Sequence, residues 1–88
     1  MNPQVQSIAA VTGTTLDLRF ADGQLRRFDV QPYIDRGGVF AQLQMPAIFQ
    51  SARVVAGAIE WPGEIDLSHD TLYLRSVPLD ERPTTTQR

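Results

Sequence analysis

Four carboxylates (Glu60, Glu64, Asp66, Asp70), the sole histidine (His69), the sole tryptophan (Trp61) and a tyrosine (Tyr73) fall within the fourteen residues "EWPGEIDLSHDTLY", 60–73. Residues of these types could hold a metal, move a proton or anchor a partner. A zinc site gathers three or four ligands, most often histidine or cysteine. With one histidine and no cysteine in the chain, no zinc ligand set is assigned. A calcium loop needs alternating oxygen ligands, a glycine at its sixth position and a glutamate at its twelfth; "GEIDLSHDTLYL" matches neither. Magnesium held by one or two carboxylates makes too weak a demand to be read from sequence. Ser68-His69-Asp70 names the members of a hydrolytic triad, but adjacent side chains cannot point at one another in the order nucleophile, base, orienter. Glu60 and Asp66 could act as an acid–base pair if one of them were buried. No catalytic residue, cofactor or metal is assigned.

A structural reading accounts for more of the stretch. Asp66 or Ser68 can cap a helical turn whose first carboxylate is Asp70, and Leu67, Leu72, Tyr73 and Leu74 supply apolar anchors. Trp61 can seal the edge of a core provided its indole N–H finds a partner. His69 then sits at the surface beside acidic neighbours.

These residues need a small scaffold, and the chain is 88 residues long. A chain of that length forms one domain with one core and buries only about 60% of the surface its unfolded form exposes. Without cysteine it has neither disulfides nor a thiolate nucleophile. No apolar run approaches the roughly 20 residues that span a bilayer, and "MNPQVQS" lacks the basic start and apolar run of a signal peptide. A cytoplasmic location is expected. The formal charge is −2, so no net positive field gathers phosphate backbones and nucleic acid is not the expected partner. All the basic residues are arginine, a usage that base composition of the coding sequence explains better than a taste for bidentate contacts.

Alternation and turn residues place the strands. "VQSIAAV" (5–11) and "TLDLRF" (15–20) are joined across "TGT", and "QLRRFDV" (24–30) follows "ADG". A two-residue Asp22-Gly23 loop would oppose Leu18 to Arg27. A three-residue Ala21-Asp22-Gly23 loop, a type I turn with Gly23 left-handed in a bulge, opposes Leu16 to Phe28 and Asp17 to Arg27. The second register gives an inward row of Leu16, Leu18, Phe20, Phe28 and Val30, with Arg26 as its one charged intruder. Pro32 and Pro46 open short helical turns, Gly37 closes the first, and "RVVAG" with "AIEW" forms another strand pair. The expected fold is α+β, one small antiparallel sheet of about five strands with short helices packed on one face. Residues 1–77 form the domain, and 78–88, with two prolines and three threonines, read as a disordered tail.

The ordered pieces "LRFADGQLRRFDVQPYI", "GGVFAQL", "FQSARVV" and "AIEWPGEIDLSHDTLY" resemble the successive motifs of domain-of-unknown-function family 2442, small prokaryotic proteins. The resemblance rests on Phe20, Asp22, Gly23, Phe28 and Asp29 in the hairpin, Phe40 and Leu43 in the middle, and Trp61, Pro62, Asp66, Leu67, Leu72 and Tyr73 near the end. It implies a compact α+β fold with no established activity. It also implies a gene placed beside that of a second small protein, as in toxin–antitoxin or regulatory pairs. Some members carry an added helix-turn-helix domain, for which the tail here is too short. The function expected is a non-enzymatic binding module, the antitoxin-like or regulatory half of such a pair, with Trp61, Asp66, His69, Asp70 and Tyr73 as its protein-contact residues. An exposed edge strand offers a second route, by strand addition or homodimerisation. The alternatives are a nucleic-acid-associated regulator acting through its arginines and a small enzyme using acidic residues near Asp66.

Overall fold

The computed structural model describes residues 2–79. The expected tail lies, from Asp80 onward, outside the described residues. Seven strands and three short helices follow in order: β1 (Val5–Thr12), β2 (Thr15–Phe20), β3 (Leu25–Asp29), α1 (Gln31–Arg36), a 3-10 segment (Gly38–Gln44), α2 (Pro46–Phe49), β4 (Arg53–Val55), β5 (Ala58–Trp61), β6 (Ile65–Leu67), α3 (His69–Leu74) and β7 (Val77–Pro78). The class is α+β with antiparallel pairing throughout, but the expectation of one five-stranded sheet is corrected. A four-stranded sheet runs β1-β2-β3-β7 and a separate three-stranded sheet runs β4-β5-β6. The two sheets meet where the Val5 N–H donates to the Gly57 carbonyl at 2.9 Å.

The first hairpin pair follows from its turns. Gly13, at φ 58°, supplies the left-handed residue between β1 and β2. Between β2 and β3, the Gly23 N–H donates to the Phe20 carbonyl and the Phe20 N–H to the Gln24 carbonyl, both at 2.9 Å, with Gly23 at φ 90°. That is the three-residue turn with a glycine bulge, and it sets Leu16 opposite Phe28, Asp17 opposite Arg27 and Leu18 opposite Arg26. Leu16, Leu18, Phe20, Phe28 and Val30 are all buried. In the second sheet, Ile59, Trp61, Ile65 and Leu67 alternate inward to join the same core, while Glu60 and Asp66 face outward opposite one another.

The helices are too short to persist without packing, and each carries its own start signal. Asp29 Oδ1 accepts from the Gln31 N–H at 2.9 Å ahead of Pro32, opening α1. Pro46 opens α2. Ser68 caps α3, its Oγ accepting from the Thr71 N–H at 3.3 Å, with Asp70 in the first turn. Ser68 is thus the cap, and Asp66 belongs to β6. Leu43, Phe49 and Leu72, contributed by the 3-10 segment, α2 and α3, complete the core.

Candidate functional site

The five expected contact residues do not form one cluster. Trp61, on β5, is 3% exposed; its Nε1–H donates to the Phe49 carbonyl at 3.1 Å, and its ring stacks on Phe49 with centroids 6.0 Å apart. It is a core residue whose polar edge is satisfied inside the fold. Asp66 is exposed on the outer side of β6, directly across from Glu60, whose Oε1 lies 4.0 Å from the Arg53 guanidinium. Two like charges opposite one another weaken a strand pair, and Arg53 offsets part of that.

His69 and Asp70 do come together. They open α3, with the His69 Nε2 3.5 Å from the Asp70 Oδ1. That same oxygen accepts from the Asn2 amide at 2.9 Å, which ties the start of the chain to the helix. The His69 Nε2 is itself buried and makes no hydrogen bond.

Tyr73 is the centre of an arrangement only partly legible beforehand. Its ring meets Phe20 edge-on, centroids 5.0 Å apart. Its hydroxyl donates to Asp22 Oδ2 at 2.8 Å and accepts from the Gln24 amide at 3.0 Å. The Arg26 guanidinium lies 4.4 Å from the ring centroid and is held there at three points: Nε to the Ser76 Oγ at 2.7 Å, Nη2 to the Ser76 carbonyl at 2.8 Å and Nη1 to Gln24 Oε1 at 2.7 Å. Arg26, placed by the hairpin register among apolar residues, is therefore accommodated by the turn that follows α3. Ser76 is the buried polar residue among those described, and its Oγ also donates to the Tyr73 carbonyl at 2.9 Å. The charged intruder in the inward row was the sequence signal for this cluster. Its partners, roughly fifty residues further along, had none.

Electrostatically the cluster is settled rather than poised for proton transfer. The Gln24 backbone N–H, and after it the Tyr73 hydroxyl, hold the Asp22 carboxyl below its ordinary value. The hydrogen bond to Asp22 pushes the Tyr73 phenol up. Asp22 stays an anion and Tyr73 a neutral donor at neutral pH, which suits an ordering contact better than general acid–base work. Of the arginines that a nucleic-acid face would draw on, Arg19, Arg26, Arg27, Arg36 and Arg53 are engaged within the chain. Arg19 donates to the Gly23 carbonyl at 3.0 Å, Arg27 grips both oxygens of Asp17 at 2.7 and 3.1 Å, Arg36 lies 5.3 Å from the Tyr33 ring centroid, and Arg53 faces Glu60. No group of three or more potential metal ligands gathers among the described residues. No described helix is long and apolar enough to cross a membrane.

Leu74, next to Tyr73 on α3, is 67% exposed. Val77, 58% exposed, stands opposite Arg27 across the β3–β7 pair, on the sheet face away from Arg26 and Tyr73. Comparison with curated proteins and with solved structures finds no match. A family model described as "Protein of unknown function (DUF2442)" matches residues 5–78. The match begins with the first residue of β1 and ends with the last of β7, and the chain belongs to this family.

Proposed function

We propose that the chain is a non-enzymatic binding module, the antitoxin-like or regulatory half of a two-protein pair whose partner is a small protein encoded by a neighbouring gene. The observation that carries this reading is exposed Leu74 beside the pre-ordered Tyr73 cluster on α3. Interfaces combine an apolar centre with a polar rim, and side chains already held in place lose little further freedom on docking. Asp70, Tyr73 and Leu74, all on α3, make up the contact region. Asp66 and His69 flank it in sequence. Trp61 supports it from the core without touching the partner.

The test is purification of the tagged protein from its native cells, with co-eluting proteins identified by mass spectrometry. A stoichiometric small partner is expected, and it should be lost from the Leu74→Asp protein while the circular dichroism spectrum stays native. Elution of the folded protein alone would remove the pair reading. Retention of the partner by the Leu74→Asp protein would move the contact elsewhere.

A further inference from the structure

The segment before β1 touches three elements that are remote from it in sequence. The Asn2 side-chain amide donates to Asp70 Oδ1 on α3 at 2.9 Å, and the Gln4 carbonyl accepts from the Ala21 N–H, at the β2–β3 turn, at 2.8 Å. The Gln4 side chain rests on Gly57 in the β4–β5 turn, where an added Cβ would stand 2.6 Å from it. Val5 follows, 4% exposed, with its N–H on the Gly57 carbonyl.

The two ends of this segment are held unequally. Val5 is fixed by burial in the core. Ahead of it Pro3 has no N–H to donate, Gln4 is exposed, and the bond from Asn2 to Asp70 is itself exposed. An exposed hydrogen bond holds less firmly than a buried apolar side chain. The residue covered by Asn2 is Asp70, and Leu74 lies one helical turn beyond it on the same face of α3. We propose that residues 2–4 are a strap that opens while Val5 stays seated, and that opening hands the Asp70 carboxylate from the Asn2 amide to a cationic side chain of a partner docked on Leu74. A carboxylate bonds more strongly to a charged donor than to a neutral amide, so the exchange favours the partner. The role given to Asp70 rests on the contact region proposed above, whereas the opening of the strap does not.

The experiment is native-state hydrogen exchange of the full chain, followed amide by amide by NMR. Ala21 reports the strap, because its N–H is released when Gln4 leaves; Val5 reports the seat and Leu18 the core. Ala21 should be protected only about 10-fold to 100-fold, against at least about 1,000-fold for Leu18, with Val5 better protected than Ala21. Asn2→Ala should speed exchange at Ala21 about threefold to tenfold and leave Val5 and Leu18 unchanged. Asp70→Ala should do the same, and the double substitution no more than either alone. Exchange at Ala21 no faster than at Leu18, indifference of Ala21 to Asn2→Ala, or additive effects of the two substitutions would each overturn the strap and leave the pair reading untouched, since no partner is present. With the co-purified partner added back, Asn2→Ala should bind it about threefold to tenfold more tightly than wild type, because more of the protein is already open. Equal or weaker binding by an Asn2→Ala protein with fast Ala21 exchange would overturn the role of Asp70 while the pair reading stands. Failure to find any partner would remove the pair reading and that role together, and the exchange data would still decide the strap.

Discussion

Replacing Trp61 separates a core role from a contact role by its effect on folding. The ring is 3% exposed, and large aromatic-to-alanine changes in a core cost about 3 to 5 kcal/mol through lost transfer energy and the cavity left behind. Losing the indole N–H also removes one of two donors to the Phe49 carbonyl, which it reaches at 3.1 Å and which keeps the Ala52 N–H at 3.3 Å, a loss of about 0.5 to 1.5 kcal/mol. The two terms overlap, since a cavity can admit water to that carbonyl, so a total of about 4 to 6 kcal/mol is expected for Trp61→Ala. Domains are stable by about 5 to 15 kcal/mol, and a chain this short sits toward the lower end. Trp61→Ala should therefore be largely unfolded. Trp61→Phe keeps a ring against Phe49 but loses the donor and leaves a small cavity, for a cost of about 1 to 3 kcal/mol. With a urea dependence of about 1 kcal/mol per molar, its unfolding midpoint should fall by about 1 to 3 M. Circular dichroism is the readout, because the sole tryptophan disappears with the substitution. A Trp61→Ala protein that unfolds at the wild-type midpoint would refute the core assignment and return Trp61 to the contact surface.

Two further perturbations address the joint between the sheets and the Tyr73 cluster. An added Cβ at Gly57, already at φ 80°, would lie 2.6 Å from the Gln4 Cβ, whereas one at Gly13 (φ 58°) meets nothing within 4 Å; both pay the left-handed cost of about 1 to 2 kcal/mol. In urea unfolding, Gly57→Ala should be the more damaging of the two because a Cβ cannot swing aside, and equal losses would show that the β4–β5 turn does not press on the start of β1. For Tyr73→Phe the prediction concerns pH. Asp22 is held below its ordinary 3.8, so its contribution is present above that value and lost as pH falls through the lower folded value. Tyr73 is raised above 10.0, so its contribution is complete below 10.0 and lost as pH rises through the higher folded value. The melting-temperature gap between wild type and Tyr73→Phe should be widest between these limits and should shrink beyond both. The acid limb will persist in part in the variant, because the Gln24 backbone N–H still lowers Asp22. A gap that does not change from pH 2 to 11 would show that the hydroxyl contributes nothing through Asp22.

Local chemistry was legible where one residue type decides a backbone geometry. Gly23 and the alternation on either side of it determine the β2–β3 register, and of the two α3 caps expected, Asp66 or Ser68, the structure uses Ser68. Pro32 and Pro46 mark their helices. What was missed depended on pairing between segments far apart. Ile65–Leu67 is only three residues long and becomes a strand because Ile59 and Trp61 stand across from it; taken alone it reads equally well as the approach to a helix. Val77–Pro78 pairs with Arg26 and Arg27, although proline cannot donate to a ladder and marks a strand only at an edge. The split into two sheets follows from the connection between Val30 and Ala52, which carries β4 away from β3, and no periodicity encodes where a connection returns. The Tyr73 cluster was half visible: Arg26 in an apolar row demanded a partner, but Ser76 carries no mark of being that partner.

The sheet edges bear on how a partner can attach. In the larger sheet β1 is one edge and β7 the other. The β1 register slips between Val5 and Ser7 and again between Ile8 and Ala10, leaving Gln6 and Ala9 unopposed. Each bulge turns the strand and interrupts the row of N–H and C=O groups that an incoming strand would need. The start of β1 is taken by Gly57. At the other edge β7 is two residues long and ends in Pro78. β4 and β6, the edges of the smaller sheet, have three residues each. Short, bulged and proline-ended edges are the features by which proteins resist strand addition, so a partner of the kind proposed would attach through side chains such as Tyr73 and Leu74. Sedimentation equilibrium should then show a monomer across a wide concentration range. A dimer broken by a proline at Ala9 but untouched by Leu74→Asp would show that β1 pairs with a second copy despite its bulges.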